Sequence, residues 1–143
     1  YAASISRASS FALPLGSAKT AMVDARDVGE VAAAVLAGEG HAGQIYQLTG
    51  PALIDFHEAA GVMSQVLGRD IAYIEQTPEA FHDVLAQFIH SAWQLDAVCE
   101  LFAEIAGGSL EQLTDTTAEL LGRPAKSLAE FTAEFAPAFQ ATD

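Results

Sequence analysis

The 143 residues are 51% hydrophobic, and 19 acidic side chains against 6 basic ones set the formal charge at −13. A chain of this size can bury roughly 70% of the surface its unfolded form exposes, which excludes a disordered tail. The negative charge repels phosphate backbones and anionic bilayers, so neither a nucleic acid nor a membrane is an expected partner.

Residues 1–19 read as an irregular lead-in. Tyr1 to Ser9 suits the end of a helix, and Pro14 and Gly16 punctuate a loop or irregular strand carrying Phe11, Leu13 and Leu15. Asp27 with Glu30 predicts a capping box, starting a helix that runs to about Leu36. Past Gly38 the chain turns through Glu39-Gly40-His41-Ala42-Gly43 into a predicted buried strand at Gln44 to Leu48. A second capping box, Asp55 with Glu58, opens a helix bearing Ala59, Val62, Met63 and Val66 at helical spacing and stopping at Gly68. A strand follows at Ile71 to Ile74.

Thr77-Pro78 predicts the next helix start, with proline where its missing amide costs nothing. From Glu79 to about Ala106 the apolar residues keep helical spacing with a break near Ser91, and Gly107-Gly108 ends the run. A short helix at about Asp115 to Leu121 and a last one capped by Ser127 with Glu130 complete the chain. The expected class is α/β, mostly helical with two or three short strands, too few for a free-standing sheet.

Cys99 is the only cysteine and asparagine is absent, so neither an internal disulfide nor an N-glycan is available, and the expected setting is cytoplasmic. Cys99 itself, among Val98, Leu101 and Phe102, reads as an inert thiol on an apolar helix face. No apolar run approaches the roughly 20 residues that cross a bilayer.

Several motifs lose their chemistry in context. Gly38, Gly40 and Gly43 spell G-x-G-x-x-G, but a dinucleotide turn follows a strand and opens a helix, whereas this one follows a helix and precedes a predicted strand. His57-Glu58-Ala59-Ala60-Gly61 lacks the second histidine of a zinc-protease helix, and His82 and His90 stand about two turns apart, too far to share a metal. No metal site is expected. No tyrosine has a lysine four residues later, the pair that lowers a phenol pKa for proton transfer. Ser109 after Gly107-Gly108 is a helix stop rather than a nucleophile.

The block Val23-Asp24-Ala25-Arg26-Asp27-Val28-Gly29-Glu30-Val31, followed by Tyr46-Gln47-Leu48-Thr49-Gly50-Pro51, resembles the C-terminal half of the NmrA-like proteins, atypical short-chain dehydrogenase/reductases. Leu67-Gly68-Arg69-Asp70-Ile71, Gln76-Thr77-Pro78-Glu79-Ala80-Phe81 and Leu121-Gly122-Arg123-Pro124 leading into Ser127-Leu128-Ala129-Glu130-Phe131 continue the resemblance, which is weakest over about 82–112. It implies the last part of a Rossmann-like fold: one domain over 1–143, in which 20–75 continue the sheet and 76–143 form a helical substrate lobe. The family's dinucleotide fingerprint lies upstream of the matching stretch. The start on Tyr1 rather than Met accordingly fits a piece of a longer protein.

The resemblance further implies NADP or NAD as cofactor of the whole protein, with none expected for this stretch alone, and a small quinone- or ketone-type substrate. It carries no catalytic or cofactor-binding residue onto these positions. It places Asp24, Arg26 and Asp27 where sheet meets substrate lobe, with Asp27 as helix cap and Arg26 paired to a neighbouring carboxylate. The family's C-terminal helices wall a cleft over the nicotinamide, so Phe11, His90 and Trp93 are pocket candidates beside their plainer reading as core or surface. Two alternatives stand open: a redox-sensing regulator without turnover, and an assembly domain. In the latter the edge at Gln44 to Leu48 dimerises as a homo-oligomer or receives a complementing N-terminal segment.

Overall fold

Every second side chain from Ser10 to Leu13 is buried, the period of a strand with one face on a core. The computed structural model describes residues 2–140. Strand β1 (Ser10–Leu13) pairs in parallel with β2 (Ala72–Glu75), with Phe11 opposite Tyr73 and Leu13 opposite Glu75. Eight helices surround this ribbon among the described residues: α1 (Ala2–Ala8), α2 (Ala25–Ala37), α3 (Phe56–Leu67), α4 (Pro78–Leu85), α5 (Ala92–Ala106), α6 (Thr116–Leu121), α7 (Leu128–Glu134) and α8 (Ala136–Phe139). The regular strand β1 replaces the irregular lead-in expected there, because Phe11, Leu13 and Leu15 all turn into the core while β2 supplies the ladder. Tyr1, the first residue of the expected opening helix, lies outside the described residues.

Caps set most of the boundaries. Asp55 and Glu58 exchange the two bonds of a capping box at α3, Ser127 and Glu130 do the same at α7, and Thr77 caps α4 with Pro78 in its first turn. Ser91 accepts from the Gln94 amide and starts α5, so the long apolar run is two helices with the break where the sequence expects it. Gly68 and Gly122 end α3 and α6 at φ of 67° and 65°, the left-handed region that glycine enters without penalty.

Two local expectations are corrected. The cap of α2 is Asp24, whose carboxylate accepts from the Arg26 amide; Asp27 lies in the first turn, fully buried, because residues from the α6–α7 loop claim it. Gln44 to Leu48 form no strand, and Ile45 is 97% exposed. Loops take up this stretch instead. The Gly50 amide donates to the Ala21 carbonyl at 3.0 Å, and the Thr114 hydroxyl donates to the Gln47 carbonyl at 2.8 Å.

One core joins the elements. Ile5, Phe11, Leu13, Leu15, Ala60, Met63, Ile71, Tyr73, Phe81 and Phe139 are buried together, with half-buried Cys99, Phe102, Leu128 and Phe131 packed on them. Burying each large apolar side chain contributes about 1.5–3 kcal/mol. Arg69, just past α3, donates to the carbonyls of Ile5 (2.9 Å) and Phe139 (2.7 Å) and to the Ser9 hydroxyl. One cation thereby serves carbonyls in α1 and at the end of α8 and steadies Ser9, which ends α1 at φ 52°. Among the described residues no helix is long and apolar enough to cross a membrane.

Candidate functional site

Packing three helices and a strand around large aromatic side chains leaves a chamber. Its cavity volume is about 410 Å³, within the range of small-molecule sites. Phe11, Leu13 and Leu15 form one wall from β1 and the turn after it; Phe56, Ala59 and Met63 form another from α3. Phe102 and Ile105 of α5, with Leu128 and Phe131 of α7, close the opposite side, and Thr20 and Met22 complete the rim. Every lining side chain except Thr20 is apolar. Met22, Leu128 and Phe131 also wall an adjoining hollow of about 300 Å³ that reaches Asp24 and Lys126.

The residue at the rim is held by its backbone. Thr20 and Ile54 exchange amide–carbonyl bonds at 2.9 and 3.2 Å as an isolated antiparallel bridge. The Thr20 hydroxyl oxygen, by contrast, is buried with no hydrogen-bond partner among the described residues. An unpaired buried hydroxyl costs about 1–3 kcal/mol, so its retention calls for a reason.

A charged clamp flanks the adjoining hollow. Asp27 accepts from Arg123 at 2.7 Å and from the Lys126 amide at 2.6 Å, and Arg123 also reaches Glu30 at 2.6 Å. Burial pushes the Asp27 carboxyl pKa up, but the Lys126 amide and the Arg123 guanidinium outweigh it and leave the group below its usual value. Arg26 bridges Asp24 at 2.5 Å and Glu134, while Lys126 Nζ reaches Glu134 at 2.9 Å. The bonds from Arg26 draw Asp24 down to about 2, and those from Arg26 and Lys126 do the same for Glu134. This cluster ties α2, α7 and the loop between α6 and α7 into one body.

The pocket candidates separate. Phe11 is 6% exposed, lines the chamber, and packs against Tyr73 and Phe56 at ring separations of 5.6 and 6.3 Å. His90 is exposed in the link between α4 and α5, and Trp93, 79% exposed, stands on the first turn of α5; neither lines the chamber. Tyr73 donates to the Leu13 carbonyl at 2.9 Å and accepts from the Leu15 amide at 3.3 Å. Burial pushes its phenol pKa up, against a role as a proton donor at neutral pH.

Side-chain caps fill several helix starts, though not that of α6, where Asp115 makes no cap bond. A phosphate grip needs free amides at a helix start, yet Asp24, Asp55 and the Ser127–Glu130 pair occupy the amides of α2, α3 and α7. Gly38, Gly40 and Gly43 follow α2 and open no helix. Among the described residues no group of three histidine, cysteine, aspartate or glutamate side chains gathers where it could hold a metal ion.

No family model matches the chain. It is 35% identical over 141 residues, 99% of its length, to an NAD(P)H azoreductase of Xenophilus azovorans, and spans 49% of that protein. It is 37% identical over 128 residues to a (4-alkanoyl-5-oxo-2,5-dihydrofuran-3-yl)methyl phosphate reductase of Streptomyces griseus, covering 87% of this chain and 44% of that one. An NADPH-dependent quinone oxidoreductase from Escherichia coli superposes with a TM-score of 0.82 over 94% of the chain at 22% identity, again across 49% of the larger protein. These relatives and structural neighbours are consistent with an NmrA-like protein, of which the chain resembles the C-terminal half. The chain therefore spans about half the length of the curated relatives it matches. A triphenylmethane reductase of a Citrobacter species, at a TM-score of 0.76 and 22% identity over 90% of the chain and 45% of its own, shares the fold.

Of the sequence candidates Phe11 lies on the chamber wall, while Thr20, Met22 and Phe131 of that wall and Arg123 of the clamp were not among the pocket candidates. Thr20 had no signal, since a threonine between Lys19 and Ala21 looks like any loop residue. Arg123 had one: it follows Gly122, a glycine at the stop of a short helix, where a cation beside a left-handed turn can reach back to another element.

Proposed function

We propose that this chain is the substrate-side portion of an NAD(P)H-dependent oxidoreductase acting on a small organic compound of quinone or ketone type. The observation that carries the reading is the 35% identity to an NAD(P)H azoreductase along 99% of the chain. The chamber agrees with it. An apolar, phenylalanine-lined space of about 410 Å³ suits a flat aromatic body. The occupied helix starts and the charge of −13 suit the half of such a protein that does not grip phosphate. In this scheme the cofactor, NADP or NAD, brings the hydride, and these residues orient the acceptor.

The test is acceptor-dependent oxidation of NADPH and NADH by the protein encoded by the whole reading frame, with a panel of quinones, azo dyes and aryl ketones. Turnover with at least one acceptor supports the reading. Saturable dinucleotide binding without turnover on any acceptor moves it to the second reading, a redox-responsive regulator. An assembly role draws on the exposed apolar residues Leu36 (86%) and Ile45 (97%), which flank the turn after α2 and suit burial by another segment or a second copy.

A further inference from the structure

We infer that the Thr20 hydroxyl is the polar anchor of the chamber, and that the chamber takes an apolar aromatic ligand carrying one hydrogen-bond acceptor oxygen placed at the Thr20 rim. The inference deepens the substrate-side reading and rests on it for the ligand's role in the whole protein, not for the existence of the site. Three observations meet at this point. The chamber wall presents apolar surface only, Thr20 included, so a ligand with several polar groups would leave them unpaired at a cost of about 1–3 kcal/mol each. Aromatic rings and both methionines of the chain surround the space, and thioether and ring contacts favour a flat π-system.

The third observation is the hydroxyl itself. The Thr20 backbone is already committed to Ile54 in both directions, and its Oγ1 has no partner. A threonine hydroxyl has one proton to donate, and here no protein acceptor is engaged. Oγ1 is withdrawn from solvent. A single step about χ1 exchanges it with another substituent on Cβ, and such steps are fast between staggered wells. A carbonyl oxygen arriving at the rim then receives the proton and relieves the unpaired group. Discrimination follows from the same physics: a site built to bond one oxygen rejects the hydrocarbon analogue more strongly than greasy packing alone would.

The experiment uses 1-tetralone and tetralin, one carbon skeleton with and without the carbonyl, titrated into the full chain labelled with ¹³C at the methionine methyls. Met22 and Met63 both face the chamber, so their two resonances report entry directly. Expected is a shift of both methyls with either probe, tighter binding of 1-tetralone, and a five- to tenfold loss of 1-tetralone affinity in Thr20→Val with tetralin affinity unchanged. Thr20→Ser, which keeps the hydroxyl, restores most of the ketone preference. Unmoved methionine methyls overturn the site, and equal affinity changes for both probes in Thr20→Val overturn the anchor. No dinucleotide enters this experiment, so absent turnover in the whole protein would sink the oxidoreductase reading while leaving a hydroxyl-dependent ketone site standing.

Discussion

Asp27 is the residue on which this half of the molecule is most tightly tied. Its side chain is wholly buried, and it joins α2 to a loop 96 positions away through Arg123 and the Lys126 amide. Removing one member of a buried pair leaves the rest desolvated without compensation. Asp27→Ala is therefore expected to lower stability by about 2–4 kcal/mol in urea unfolding, and Arg123→Ala by clearly less, because the arginine is 39% exposed and can turn to water. Equal losses would contradict this. The acidic cluster around Arg26 makes a second prediction. Asp24 and Glu134 have folded pKa values near 2, below those of the unfolded chain. The unfolded state then binds more protons, so their contribution is full above the unfolded carboxylate range and fades as pH falls toward about 2. The stability difference between the native protein and Arg26→Gln should shrink steadily between about pH 5 and pH 2; a constant difference would remove Arg26 from the linkage.

At the scale of elements, the Thr49-Gly50-Pro51 turn explains how loops replace a strand. Thr49 accepts from the Thr114 amide at 3.1 Å and donates to the Thr114 carbonyl at 3.0 Å, while the Thr117 hydroxyl donates to the Thr49 carbonyl at 2.8 Å. Gly50 lies so close to the crossing chain that a Cβ would stand 1.8 Å from the Met22 carbonyl oxygen. Gly50→Ala must push that crossing apart, at an expected cost of about 2–3 kcal/mol or more. It should also move the Met22 methyl resonance, since Met22 is a chamber wall; an unchanged resonance with unchanged stability would refute the close approach. These elements also show what the sequence could tell. Caps at Asp55, Thr77 and Ser127, the break near Ser91 and stops at Gly68 and Gly107 were legible because capping depends on neighbours within four residues. The strand expected at Gln44 to Leu48 was not, since a strand exists only with a partner, and here side chains from residues near 114 took that place. Asp27 misled for the same reason: Asp24 and Asp27 both fit a cap locally, and a contact across 96 positions decided between them. Phe11 was a pocket candidate through the family resemblance, whereas Thr20 and Met22 became neighbours of the chamber only through the Thr20–Ile54 bridge and the Gly50 crossing.

Across the whole molecule, charge and cavity divide the work. The chain is strongly acidic, and the interior between β1, α3, α5 and α7 holds an apolar space. We propose that these residues supply the acceptor side of a reductase and not its dinucleotide grip. The most direct measurement is a titration of NADPH and NADH into the 143-residue chain, followed by nicotinamide fluorescence, alongside the same titration of the protein encoded by the whole reading frame. Expected is no saturable enhancement for the 143 residues, and saturable binding for any chain that also carries an upstream dinucleotide fingerprint. Saturable dinucleotide binding by the 143 residues alone would contradict the proposal.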